Sequence, residues 1–329
     1  MNILFRPKGI KHPIPPVIKP PASPKVHTLI DNDLLWISWF YSSVEKVDVS
    51  VLPDTTVVEI IAEGTVYHPN LSYNSVALAT DSTYMYIGGQ GVTKTDTDGT
   101  ELTKFSTDTM AYIPALVIAG SSIYVSVYGG IRKFTLDGTL QFATNALSFS
   151  DIISTGSSLW TTNTLMNSVS QLSLDLLTIT PHSCAYNCPI GVAFDGTFLW
   201  VSYQGSSVKP FLPDGGKLVK YDLSFNEVAS YTISDCLGYI SYFPSLNLLG
   251  VNDWATNTFK LISPEDGSVK QTTEVTAWTG KSSIDSRDYI FVASKETSNV
   301  YRIPYIPLSQ EYTILLHFNS YPFVSNGDI

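Results

Sequence analysis

Five histidines, His12, His27, His68, His182 and His317, are the residues best suited to proton transfer near neutral pH. Two of them, His68 and His182, fall where connections between repeated units are expected. They belong to units far apart in the chain, and no common spacing joins them. Carboxylates divide into two groups. Asp98, Asp137, Asp195 and Asp266 each precede glycine, the order that a tight hairpin turn requires. Asp151, Asp253 and Asp285 fall near strand ends, where they could ring a central channel and offer scattered oxygens to a divalent cation. The three cysteines, Cys184, Cys188 and Cys236, are an odd number in a long chain and read as reduced thiols, although Cys184 and Cys188 are close enough to pair locally. His182 precedes Cys184, but the spacing supplies no fourth ligand for zinc. Gly88-Gly89-Gln90-Gly91 joins two strands rather than a strand and a helix, so it is no phosphate loop. The expectation is no catalytic residue, no metal and no cofactor. Aromatic side chains at strand ends, Trp39, Tyr203, Trp254 and Trp278, are the candidates for surface recognition of a sugar ring or a protein.

The elements that must position these residues are strands. Ala115–Phe142 holds four short apolar or alternating runs, broken by Gly-Ser-Ser, Gly-Gly and Asp-Gly. That is a four-stranded antiparallel meander, and a lone meander cannot bury both faces. Similar units recur along the chain. Their second strands carry Trp36, Tyr86, Tyr124, Trp160, Trp200, Leu249 and Ile290, spaced 36 to 50 residues apart with a mean of about 42. Seven such units predict an all-β, seven-bladed β-propeller over residues 26–317, with six blades as the alternative count. All the strands can be placed in linear order, ending with residues 311–318 as the outermost strand of the last unit. The aromatic tail 318–329 is a candidate latch for the seam.

Residues 1–25 differ in kind. Arg6, Lys8, Lys11, Lys19 and Lys25 lie there with no acid, among seven of the 19 prolines, including Pro15 and Pro16. This predicts an extended basic arm, and these residues are its candidate partner-binding set. Of the 19 lysines and arginines, 14 remain for the rest of the chain against 29 acidic residues. A body of that sign is unsuited to phosphate backbones, so no nucleic-acid partner is expected. No apolar run reaches the roughly 20 residues of a membrane helix. The first residues, MNILFRPKGIKHPIPP, do not read as a secretory leader.

The phrases FDGTFLWVSYQG and GGKLVKYDLSFNEVASY within Phe194–Tyr231, with LDGTLQF and EDGSVKQT, resemble the NHL and YVTN-type propeller superfamily. The resemblance implies a fold and no single activity. The recurrent Gly-His and Trp-Asp marks of WD repeats are missing. A missing leader, polar Ser/Thr/Asn-rich strands and a basic arm resemble bacteriophage virion proteins of the tail, baseplate or fibre. That resemblance implies a non-enzymatic structural or attachment protein, anchored to other subunits through its arm and located in the virion, or otherwise in the cytoplasm. A carbohydrate- or receptor-binding propeller and a lactonase- or lyase-like enzyme are the alternatives. An enzyme of this shape would bring at least two ionisable side chains together at one channel mouth.

Overall fold

The computed structural model describes residues 25–31, 33–39, 44–60, 65–67, 77–89, 91–96, 100–105, 113–127, 129–144, 150–205, 215–275, 280–294 and 299–307. These residues form 28 strands in seven four-stranded antiparallel sheets. The seven-bladed propeller is therefore the fold, and the six-blade count is discarded. Blade 1 uses β1 (Lys25–Asp31), β2 (Leu34–Trp39) and β3 (Val44–Asp48) and, beyond β4 (Glu59–Ile60), β5 (Thr65–Tyr67). Blade 2 is β6 (Ala77–Thr80), β7 (Met85–Gly89), β8 (Gly91–Thr95) and β9 (Glu101–Phe105). Blade 3 is β10 (Leu116–Ala119), β11 (Ser122–Val127), β12 (Gly130–Thr135) and β13 (Leu140–Ala143). Blade 4 is β14 (Asp151–Ser154), β15 (Ser158–Asn163), β16 (Ser168–Ser173) and β17 (Ile179–Ser183). Blade 5 is β18 (Pro189–Phe194), β19 (Leu199–Tyr203), β20 (Gly216–Tyr221) and β21 (Glu227–Ser234). Blade 6 is β22 (Leu237–Phe243), β23 (Leu248–Asp253), β24 (Thr258–Ile262) and β25 (Val269–Glu274). Blade 7 is β26 (Ser283–Ile284), β27 (Tyr289–Ala293) and β28 (Val300–Pro304), completed by β4.

The last pairing corrects the linear order read from the sequence. In linear order the outer strand of blade 1 is expected at 55–61; that position belongs instead to β5, and β4 pairs with β28 through Ile60 opposite Tyr301 and Glu59 opposite Arg302. The ring is thus closed by an early strand laid on the last blade. The physical reason lies in the partners of the connecting segment. Arg302, fully buried, donates from Nη1 to the Pro53 carbonyl (2.7 Å) and to Glu59 Oε2 (3.1 Å). The Thr55 amide donates to the Tyr289 hydroxyl at 2.8 Å. Arg287 Nη1 donates to the Leu52 carbonyl at 2.8 Å. Residues 311–318 and the tail 318–329 lie outside the described residues.

Second strands sit between neighbouring blades and bury both faces, as in β11, β15 and β23. Outer strands such as β9 are exposed for most of their length. Every second-strand anchor named above is at most 1% exposed. The seven apolar clusters each straddle one blade–blade interface. Burying both faces of each meander in this way is what the single unit could not do alone.

Polar staples join blades at two levels. Near the ends of second strands, Thr162, Ser202 and Asn252 donate to Ile190, Gly238 and Gly280 of the following blade at 2.9, 2.6 and 2.6 Å. At the other face, Lys94 and Lys220 donate from Nζ to the Leu136 and Pro264 carbonyls of the next blade, at 3.1 and 3.0 Å. Both lysines also lie against the aromatic anchor of their own second strand, Tyr86 and Trp200.

Candidate functional site at the channel mouth

Because the blades are meanders, all inner strands run the same way along the channel. Their first residues gather at one mouth. A cavity of about 130 Å³ there is lined by Thr28, Ala77, Leu116, Asp151, Tyr239, Lys281, Ser282 and Ser283, among others. A second cavity, about 460 Å³, opens toward the opposite face and is mainly aliphatic, with Leu78, Ile118, Ile153, Val192 and Phe194 in its wall. Lys281 lines both.

Asp151 opens β14 and Lys281 lies just before β26, so they come from blades 4 and 7, across the ring. Lys281 Nζ stands 2.7 Å from Asp151 Oδ1, with the carboxylate side chain 1% exposed and the lysine 29%. The Ile152 amide also donates to Oδ1 (2.8 Å), and the Val192 amide of blade 5 donates to Oδ2 (3.0 Å). Burial pushes the Asp151 carboxyl upward, opposed by Lys281 and by the two amides. The Lys281 carbonyl in turn accepts from the Thr28 amide of blade 1 at 3.2 Å.

Of the three aspartates that could have ringed the channel, only Asp151 reaches it. Asp253 lies at the far end of a second strand, where it faces Lys260 Nζ at 2.5 Å. Burial disfavours its charge, but Lys260, Ser234 and Thr256 outweigh that and lower its carboxyl. Asp285 accepts from the Arg287 and Tyr289 amides and so organises the turn into β27. Among the described residues no three His, Cys, Asp or Glu converge on one point.

The turn aspartates do what their glycines implied. Asp195 Oδ1 accepts from the Thr197 and Phe198 amides, while Oδ2 accepts from Trp200 Nε1 at 2.7 Å, locking the anchor of β19 to its own turn. Asp81 repeats the arrangement with Thr83, Tyr84 and the Tyr86 hydroxyl. Asp98 is outside the described residues.

Other sequence candidates are placed as follows. Tyr203 is not a surface residue: it is fully buried, its hydroxyl 2.8 Å from that of Tyr221. It ends a second strand, and such strands are enclosed by both neighbours. Trp254 is half-buried at the channel-mouth face, packed edge-on against Tyr239 with ring centroids 6.2 Å apart. Gly238 lies beneath its indole, where any Cβ would approach to 2.2 Å. Trp39 ends β2, opposite Lys25, and Lys25 is the first residue of β1. Trp278 and the arm residues Arg6, Lys8, Lys11, Pro15, Pro16 and Lys19 lie outside the described residues, as do His12, His68 and His317. His27 is on β1. His182 is not in a connection but on the outer strand β17, stacked on Trp160 and Phe225, and burial lowers its pKa. Cys184, Cys188 and Cys236 are all free thiols.

Two features were not anticipated. One is the partnership of Asp151 and Lys281, which only the ring geometry brings together. The other is the β15–β16 turn on the channel-mouth face, where Leu165 and Met166 are 79% and 62% exposed. The Asn163 side chain, accepting from the Met166 amide at 3.0 Å, holds that turn in place.

No protein-family model and no curated protein sequence matches this chain. Solved structures do. The WD40 β-propeller domain of Doa1 is similar over 85% of this chain and 92% of its own, at 13% identity and a TM-score of 0.67. A catalytically inactive virginiamycin B lyase from Staphylococcus aureus, solved with quinupristin, is similar over 88% and 97%, at 12% identity and a TM-score of 0.69. The Neurospora crassa Pan2 WD40 domain is similar over 87% and 90%, at 13% identity and a TM-score of 0.66. At these identities the likeness establishes the propeller fold and no activity.

Proposed function

We propose that the protein is a non-enzymatic attachment component of a larger assembly, a virion tail, baseplate or fibre, anchored by its basic arm and presenting the propeller for contact. The observation that carries this reading is a segregation of charge. In a meander, the first-to-second and third-to-outer turns leave the same face of the ring. Asp81, Asp195 and Asp285 occupy the first kind of turn, and Asp137, Asp175, Asp222 and Asp266 the second. Hydrogen bonds from Ser268 pull the Asp266 carboxyl down to about 2, and side-chain donors lower Asp137, Asp175 and Asp222 as well. These four carboxyls are therefore ionised at any physiological pH. The arm carries four basic residues ahead of β1 and no acid, so an acidic face on a neighbouring subunit attracts it, and its Pro-rich form lowers the ordering cost of docking. The opposite face lacks this row of turn carboxylates and is the one offered to a protein or receptor.

Asp151 favours a structural over a catalytic role, since three donors already occupy its oxygens. The test is retention on assembled particles of the full chain against a chain lacking residues 1–25, at low and high salt. The full chain should be retained and lost progressively as salt rises. Equal retention of the truncated chain would overturn the proposal.

A further inference from the structure

We propose that the smaller channel cavity binds a neutral pyranose, the terminal ring of an uncharged glycan. Its wall has two unlike sides. Blades 1 to 3 contribute Leu29, Ala77, Leu78, Ala115 and Leu116, an aliphatic surface. Blades 4, 6 and 7 contribute Asp151, Tyr239, Lys281, Ser282 and Ser283. A sugar ring has the same two-sided character, with hydroxyls around its edge and C–H groups on its faces.

The polar side is built to meet hydroxyls. Ser282 is 8% exposed, and neither its hydroxyl nor that of Ser283 has a hydrogen-bond partner among the described residues. Lys281 stands beside them with its ammonium directed by Asp151 at 2.7 Å. Asp151 is thus a positioning residue: it holds the ammonium and cancels its charge. The paired site is neutral overall, which favours a neutral ligand over an acid or an amine. Tyr239 supplies the aromatic face, and Trp254 packed against its edge holds that ring in place. The cavity is small, about 130 Å³. One sugar ring therefore enters only in part, and the remainder of a glycan projects from the mouth.

No residue that lines the cavity falls within 1–25, so the chain lacking those residues should bind the sugar as the full chain does. The test is saturation-transfer NMR on the full chain with methyl glucopyranoside, mannopyranoside and galactopyranoside, and with the methyl glycoside of glucuronic acid, its carboxylate free, as the charged control. At least one neutral glycoside should receive saturation, with glucuronate receiving much less. Tyr239→Ala should weaken binding by about fivefold or more, and Ala115→Leu, which fills the aliphatic side, should abolish it. Each variant is first checked for an unchanged circular dichroism spectrum and Tm. If Ala115→Leu unfolds the ring, Ser283→Ala at a half-buried position takes its place, with weaker transfer expected. No transfer from any neutral glycoside, or undiminished transfer to folded Tyr239→Ala and to the second folded variant, would overturn the assignment. Preferential transfer to glucuronate would do the same.

Discussion

Neutralising Glu59 should open the seam of the ring more readily than removing its partner, Arg302. Arg302 is fully buried, while the Glu59 side chain is 39% exposed. The two lie 3.1 Å apart. Unit charges at that separation attract by roughly 5 kcal/mol at an effective dielectric near 20. Exposure of Glu59 and the desolvation of Arg302 reduce the net loss on Glu59→Gln to about 2 kcal/mol. What remains is a guanidinium without its counter-charge, with Nε and Nη2 already lacking partners among the described residues. Arg302→Met removes the buried charge and leaves Glu59 to water. Its cost is the bond to the Pro53 carbonyl and the stacking on Tyr289, whose centroid is 3.8 Å from the guanidinium carbon, together about 1 kcal/mol. For a body of this size, about 2 °C of Tm accompanies each kcal/mol, so Glu59→Gln should lower Tm by about 4 °C and Arg302→Met by about 2 °C. Urea unfolding gives the energies, and hydrogen exchange gives the location, since amides of β4 and β28 should lose protection before those of blade 4. The reverse order of the two variants, or exchange that rises equally in all blades, would refute the reasoning.

Three further outcomes follow from the same geometry. The lowered carboxyls of Asp137, Asp175, Asp222 and Asp266 bind protons more weakly folded than unfolded; their contribution is therefore present above about pH 4 and lost as pH falls toward 2, which acid titration of Tm will read. Lys281→Met strips the counter-charge from Asp151, whose carboxyl burial already raises. The variant should be destabilised by about 3 kcal/mol at neutral pH and should regain part of that as pH falls through the raised folded pKa, whereas the double variant with Asp151→Asn should show no such recovery. Gly130 has φ +152°, and a Cβ there would lie 2.0 Å from the Thr144 carbonyl, while Gly156, at φ +88°, has open space around it. Gly156→Ala should cost about 1 kcal/mol and Gly130→Ala markedly more, as measured by denaturant midpoints.

Strand periodicity made most of the ring readable before any coordinates. The seven aromatic or aliphatic anchors mark second strands because those strands are buried on both sides and tolerate only large or β-branched residues at one register position. The Asp-Gly pairs at Asp137, Asp195 and Asp266 likewise declared their turns. Closure was not readable, because β4 is two residues long and its assignment depends on Arg302, far along the chain. Tyr203 misled for a related reason: an aromatic at a strand end gives no sign of whether the next blade covers it. The lysines opposite the anchors, at positions 46, 94, 133 and 220, formed a register signal that went unused. Asp151 and Lys281 had no linear signature at all, since they meet only across a closed ring.

The placement of β4 also dictates a timetable. Glu59 and Arg302 are separated by 243 positions. At ribosomal speeds of about 5–20 residues per second, roughly 10 to 50 seconds pass between the synthesis of one and the arrival of the other. During that interval the segment from Val49 to Ile60 has been made but its docking surface has not, so β4 waits unpaired until β28 emerges. A nascent chain in that condition is an inviting template for the edge strands of other chains. Slowed translation beyond Tyr289 should therefore raise aggregation far more than an equal pause within blade 4.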